Sequence, residues 1–192
     1  VIALDSTAKP DVIDWSGPAP AGLPAAPIAT DAEAPALISY SSGTTALPKG
    51  IVLSNRNFIA QGLQTTIWGH IRPGQSILAI LPIFHGFGLG VCVNAALMRG
   101  ATSILVPTFD AASVARLIRR KKPTYLVGVP TLFAALARDE GLADADLSFL
   151  RAAFCGADSL PRPVKERFEA MVAKGGGKLR LCERPQEVGL IL

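Results

Sequence analysis

From Ile77 to Cys182 the sequence alternates short apolar runs with stretches of helical period, and this alternation constrains the fold more than any other feature. The runs are Ile77–Leu81, Thr102–Val106, Tyr125–Val129, Arg151–Cys155 and Lys178–Cys182. Between them the sequence carries helix signals. Gly86 to Met98 reads as a helix ended by Gly100. Asp110 caps one with Val114, Leu117 and Ile118 inward, closed by Pro123. Pro130 enters another as its first residue, and a fourth bears Val164, Phe168, Met171 and Val172 before Gly175 to Gly177 stop it. A helix between successive strands is the mark of a parallel crossover, because antiparallel neighbours need only a tight turn. The expected fold is therefore α/β, a parallel sheet flanked by helices on both faces. Hydrophobic residues at 49% and charged residues at 18% suit a sheet buried on both faces. A chain of 192 residues can bury one sizeable core, so a single domain over residues 1–192 is expected.

The first quarter of the chain is organised differently. Val1 to Leu4 reads as a short buried strand, and residues 10–33 form a Pro/Ala-rich loop or linker with no regular period. Ala36 to Ser41 reads as a strand. Ser54 caps a helix in which Phe58, Ile59, Leu63 and Ile67 share one face. Between the two lies YSSGTTALPKG, Tyr40 to Gly50. Ser41, Ser42, Thr44 and Thr45 supply short hydroxyl donors, Gly43 lets a ligand approach the backbone, and Lys49 brings a positive charge. A small-residue loop between a strand and a helix presents backbone N–H groups to an anion, and this set suits a polyphosphate. No Ser or Thr follows Lys49, so the loop is not a Walker A motif. A plain polar turn is the competing reading of the SSGT core.

The net charge of +4 raises the question of nucleic acid. Much of it sits in Arg116 to Lys122, at the end of an expected helix, where cations complement the helix dipole. No aromatic residue interleaves with that run to offer a stacking platform, so no nucleic-acid partner is expected. Attraction to coenzyme A phosphates or to an anionic lipid surface is the weaker alternative. No apolar run is long enough for a transmembrane segment, and the opening residues lack a signal-peptide pattern. Cys92, Cys155 and Cys182 have neither disulfide-framework nor zinc spacing. A reducing, cytoplasmic setting is the expectation.

The Tyr40 to Gly50 string resembles the phosphate-binding loop of the adenylate-forming, AMP-binding superfamily, with Ala46 where that family usually has glycine. Leu81 to Gly88, LPIFHGFG, is similar to the family's aromatic–histidine segment. Phe154-Cys155-Gly156-Ala157 with Leu160-Pro161 is similar to the segment lining its nucleotide and acyl pocket. The three occur in the family's order, and the similarity runs roughly from Ala34 to Lys174. The resemblance implies part of an acyl-CoA-synthetase-like N-terminal domain that binds ATP, activates a carboxylic acid as acyl-AMP and passes it to coenzyme A. By the same resemblance Ser41, Ser42, Gly43, Thr44, Thr45 and Lys49 hold the phosphates. His85 orients the substrate carboxylate, with Lys49 as the other catalytic candidate. His85, Phe87, Gly88, Gly156 and Ala157 line the acyl and adenylate pocket.

Phe87 as ordinary core, Asp158 as a helix cap, and Cys155 as a small buried apolar residue are the structural alternatives at those positions. His70, the other histidine, reads as surface. The residues after Cys182, ERPQEVGLIL, do not continue into the family's Tyr-Gly-x-Thr-Glu motif, so its magnesium glutamate is not found and no metal ligand is assigned. Without that group, the ribose partner and the catalytic lysine, this chain alone is expected to be inactive. An incomplete sheet is expected to favour self-association. A non-catalytic nucleotide- or partner-binding remnant and an enzyme that loads a carrier protein are the alternatives. The His85-Gly86-Phe87-Gly88 run favours fatty or aryl acids over amino acids, by resemblance.

Overall fold

The computed structural model describes residues 2–3, 13–14, 31–40, 49–106, 110–179 and 181–183. They fall into two compact units, Val1–Thr30 and Asp31–Leu192. In the first, β1 (Ile2–Ala3) pairs in parallel with β2 (Ile13–Asp14); the rest of the Pro/Ala-rich stretch before Asp31 lies outside the described residues. The second opens with β3 (Pro35–Tyr40), antiparallel to β4 (Gly50–Ser54). α1 (Asn55–Trp68) follows, then β5 (Ser76–Ala79), a π-helix (Phe87–Asn94) and α2 (Ala95–Met98). The remainder alternates as β6 (Thr102–Leu105), α3 (Ala111–Lys121), β7 (Tyr125–Gly128), α4 (Pro130–Leu136), α5 (Glu140–Ala143), β8 (Ala152–Cys155), α6 (Arg162–Lys174) and β9 (Leu181–Glu183).

The five later strands form one parallel sheet in the order β6-β5-β7-β8-β9. After β5 the chain steps one way to β6, then crosses back over β5 to β7 and continues in the other direction. The switch lies between β5 and β7, which opens a crevice outside their carboxyl ends. Successive strand residues point to opposite faces and feed two cores. Leu78, Leu126 and Ala153 pack with Val114, Ile118, Phe133 and Phe168 from α3, α4 and α6. Ile77, Ala79, Tyr125, Val127 and Phe154 pack with Phe87, Val91, Cys92 and Ala95 from the π-helix and α2. Helices thus cover both faces, as the alternation predicts.

The caps follow the sequence signals. Asn57 N–H donates to Ser54 Oγ at 3.2 Å while Ser54 N–H donates to Asn57 Oδ1 at 3.1 Å, a closed capping box. Asp110 Oδ2 accepts from Ser113 N–H at 2.8 Å, and Arg119, Arg120 and Lys121 occupy the last turn of α3.

Three features differ from expectation. β4 pairs antiparallel to β3 in its own two-stranded sheet; a hairpin needs no crossover helix, so the βα alternation carries no trace of it. The helix over Gly86 to Met98 is a π-helix for most of its length. On α1 the apolar stripe faces outward, with Ile67 74% exposed, while Gln61, Gly62 and Thr66 are buried. Periodicity finds a stripe but does not say on which side of a helix the rest of the molecule lies.

Tyr125 ties the end of the α1 turn to the sheet. Its hydroxyl lies 3.0 Å from the His70 carbonyl and 2.9 Å from Gln75 Oε1, and burial pushes the phenol above its ordinary range. A raised pKa means stability that is whole below the unfolded value of about 10 and is lost as pH climbs through the folded one. Urea midpoints should therefore hold up to about pH 9 and fall as pH rises past about 10. In Tyr125→Phe the fall should be smaller, at a constant cost of about 1 kcal/mol for the lost hydrogen bond.

Candidate functional site

The site is built at the carboxyl ends of β5 and β8. After β5, Pro82 to His85 make a tight turn in which His85 N–H donates to the Pro82 carbonyl at 3.1 Å. Leu89 N–H then donates to the His85 carbonyl at 2.9 Å as the helix begins. The turn is locked from inside by Gly88. A Cβ there would lie 2.2 Å from the Pro82 carbonyl oxygen, so no other residue fits without moving backbone. The turn carries Phe84 outward, 91% exposed.

His85 is exposed, and its ring folds back so that Nδ1 accepts the Phe87 N–H at 3.1 Å. That N–H belongs to the first turn of the π-helix and has no partner within it, so the imidazole acts as a side-chain cap. An accepting Nδ1 places the proton of the neutral ring on Nε2. The ring then has Nε2–H to offer to an anionic oxygen.

Phe87 is buried against the sheet, in the core cluster with Val91, Tyr125 and Phe154. Its ring edge covers Gly156, where a Cβ would meet Cε1 and Cζ at 3.0 Å. The structure thus brings the His85–Gly88 turn and the Gly156–Ala157 corner together through one aromatic ring. Gly156 N–H donates to the Gly128 carbonyl at 3.1 Å, which extends the β7–β8 ladder by one step. Ala157 then turns out at φ 69, in the left-handed region, and is exposed. Asp158 does not cap α6: its Oδ1 accepts from Ser159 N–H at 2.7 Å, and the N-cap of α6 is Pro161, with no side-chain cap. Cys155 is buried, and so is Cys92, whose thiol burial pushes up to about 12. A thiol held protonated there is no nucleophile.

The left-handed Ala157 makes a small, checkable prediction. Ala157→Gly removes a steric cost of about 1–2 kcal/mol and adds unfolded-state entropy worth about 0.4–1 kcal/mol. A net gain between about zero and about 1.6 kcal/mol in unfolding free energy is expected, where glycine would ordinarily destabilise.

Lys49 is exposed at the foot of β4. Ser41, Ser42, Gly43, Thr44 and Thr45 fall within residues 41–48, outside the described residues; β3 ends at Tyr40 immediately before them. Inspection of motifs alone passes over Gln61 and Asn94, which pack α1 onto the π-helix. The signal that could have found them is a pair of glycines inside helices, Gly62 and Gly90, which marks close approach.

A parallel α/β sheet with a switch point at β5/β7, a histidine turn on one lip and a glycine–alanine corner near the other, defines a ligand-binding α/β domain. Residues 1–179 match the family described as AMP-binding enzyme, and the chain belongs to it. It is 34% identical over 146 residues to a long-chain-fatty-acid–CoA ligase of Bacillus subtilis, covering 75% of this chain and 26% of that protein. It is 36% identical over 163 residues to a sulfoacetate–CoA ligase of Cupriavidus necator, covering 80% and 31%. Among solved structures, ATP-bound MatB from Rhodopseudomonas palustris superposes with a TM-score of 0.70 at 28% identity, over 83% of this chain and 30% of that one. The chain therefore spans under a third of the length of these relatives. Among the described residues no helix is long and apolar enough to cross a membrane.

Proposed function

We propose that this chain is the phosphate- and carboxylate-handling stretch of an ATP-dependent acid:CoA ligase, acting on a fatty or aryl acid in the cytoplasm. The observation that carries the reading is the His85 turn beside the Gly156–Ala157 corner, at the carboxyl ends of a parallel sheet with its switch point at β5. The carboxylate of the acid attacks the α-phosphorus of ATP, and pyrophosphate leaves with the bonding electron pair. Two anions must approach, so the barrier is largely electrostatic. His85 Nε2–H holds one carboxylate oxygen and orients the nucleophile. Ser41, Ser42, Thr44 and Thr45, with the backbone around Gly43, hold the β- and γ-phosphates, and Lys49 offsets the charge on the leaving group. Phe87 backs the wall against which Gly156 and Ala157 leave room for the adenylate. The thiol of coenzyme A then attacks the acyl carbon and AMP departs.

Among the described residues no three of His, Cys, Asp and Glu converge as cation ligands. None of the steps above is assigned to a cation held by this chain.

The chain spans under a third of its relatives' length, and on this reading the 192-residue protein alone should release no acid-dependent AMP. The deciding experiment supplies ATP, magnesium, coenzyme A and a panel of fatty and aryl acids to the chain alone and to a ligase built around this stretch. Acid-dependent exchange of labelled pyrophosphate into ATP by the longer protein only is the expected result. Exchange in neither would overturn the assignment, and sustained turnover by the short chain would show that it holds every group required.

A further inference from the structure

In a parallel sheet every strand starts at the same edge, and here that edge lies opposite the candidate site. An exposed cation stands just before each of the five strands: Arg99 before β6, Arg72 before β5, Lys121 before β7, Arg151 before β8 and Lys178 before β9. Backbone hydrogen bonds join the connections that carry them, strand by strand across the edge. Gly74 N–H donates to the Gly100 carbonyl at 3.1 Å, and Thr124 N–H to that of Ser76 at 2.9 Å. Arg151 N–H donates to the Thr124 carbonyl at 2.9 Å, and Leu147 N–H to that of Gly175 at 2.8 Å. With strands about 4.8 Å apart, the five cations are spread along an edge about 19 Å long.

The protein does not neutralise this edge from within. Among the described residues none of the five cations has an ion-pair partner. The described carboxylates of these connections all lie between α4 and β8. Asp144 and Asp146 are engaged by Lys174 at 2.7 Å and Lys122 at 3.3 Å, and Asp139 caps α5 through the Leu142 N–H. That leaves Glu140 against the five. Helix dipoles account for Lys121, which ends α3. They do not account for Arg72, Arg151 and Lys178, which stand in the connections beyond the last turns of α1, α5 and α6.

We infer that the amino edge of the sheet is a docking surface for an anionic lipid leaflet. A leaflet is a plane of negative charge, and cations on five separate connections can meet it together. Trp68 and Met98, the last residues of α1 and α2, bring apolar side chains 40% and 39% exposed to the same edge. A soluble polyanion would leave these in water, whereas the headgroup layer takes up such side chains. Docked in this way, the chain turns its carboxyl-end site toward solvent, where a small polar ligand arrives by diffusion. Charge and topology carry this inference, and it does not rest on the ligase reading.

Vesicle sedimentation tests it on the 192-residue protein. Vesicles of phosphatidylcholine are compared with vesicles that also contain phosphatidylglycerol, at low and high salt. Binding to the anionic vesicles only, weakened by salt, is the expected result. In Arg72→Gln/Lys121→Gln/Arg151→Gln that binding should fall about 100-fold, at about fivefold for each cation lost. A second triple variant, Arg56→Gln/Arg162→Gln/Arg167→Gln, removes the same charge from α1 and α6 and should bind nearly as wild type does. All six side chains are exposed, so both variants should keep the wild-type circular dichroism spectrum. No preference of the wild-type chain for anionic vesicles would overturn the inference without recourse to any variant. Equal losses in the two triple variants would also overturn it, because net charge and not this edge would then drive binding. Release of the chain from anionic vesicles by an RNA oligonucleotide at lower phosphate concentration would make the edge a nucleic-acid surface and sink the lipid assignment.

Discussion

Phe133→Ala should lower stability by about 3–5 kcal/mol, a large share of the roughly 5–15 kcal/mol that holds a domain of this size. Phe133 is fully buried on α4, and its ring meets Phe168 of α6 edge-on, with centroids 5.1 Å apart at 75°. The two rings join the helices that cover β7 and β8 on one face, inside a cluster with Leu126, Leu136 and Ala153. Removing one ring takes away its transfer free energy, leaves a cavity that α4 and α6 cannot close without moving, and breaks the edge-to-face pair. Urea denaturation followed by circular dichroism reads the loss as a shift in midpoint at constant slope. A loss under about 1 kcal/mol would mean that the α4–α6 layer is not packed as described. Phe133→Leu should recover much of the deficit by refilling most of the volume.

Lys49→Ala is expected to slow adenylate formation by about 100- to 1000-fold, or roughly 2.7–4 kcal/mol, in a ligase built around this stretch. The effect should be on the chemical step. Charge on the departing pyrophosphate grows as the α-phosphorus bond breaks, so a cation aimed at it is worth more in the transition state than in bound ATP. The exchange rate at saturating ATP should fall steeply while the apparent affinity for ATP changes less. Lys49→Arg should restore part of the rate, because charge is kept and reach is similar. If Lys49→Ala leaves exchange unchanged, the lysine is a solvated strand-end residue and the hydroxyl loop acts without it.

How much of this could be read from the chain can be judged element by element. Asp110, Pro130 and Ser54 announce helix starts through chemistry confined to a few neighbouring residues, and all three stand where the sequence puts them. β5, β6 and β7 are legible for the same reason, since each is a short run rich in apolar residues with glycine or proline on both sides. His85 and Gly156 are legible only as members of motifs. That one aromatic ring joins them is a fact of sheet order, because β5 and β8 are separated in the sheet by β7 and in the chain by the π-helix and four α-helices.

Local sequence by itself determined the parallel α/β class, most helix boundaries, the basic end of α3 and the family to which the chain belongs. Those features depend on interactions within a turn or two of helix, or on the two-residue period of a strand. Tertiary structure alone decided the rest: the antiparallel β3–β4 pair, the switch at β5, the outward apolar stripe on α1 and the π-helical winding after His85. The amide pair belongs there too. Gln61 and Asn94 are thirty-three positions apart and look like surface residues until two glycines bring their helices into contact. What a side chain faces depends on the other element, and one-dimensional periodicity holds no information about that.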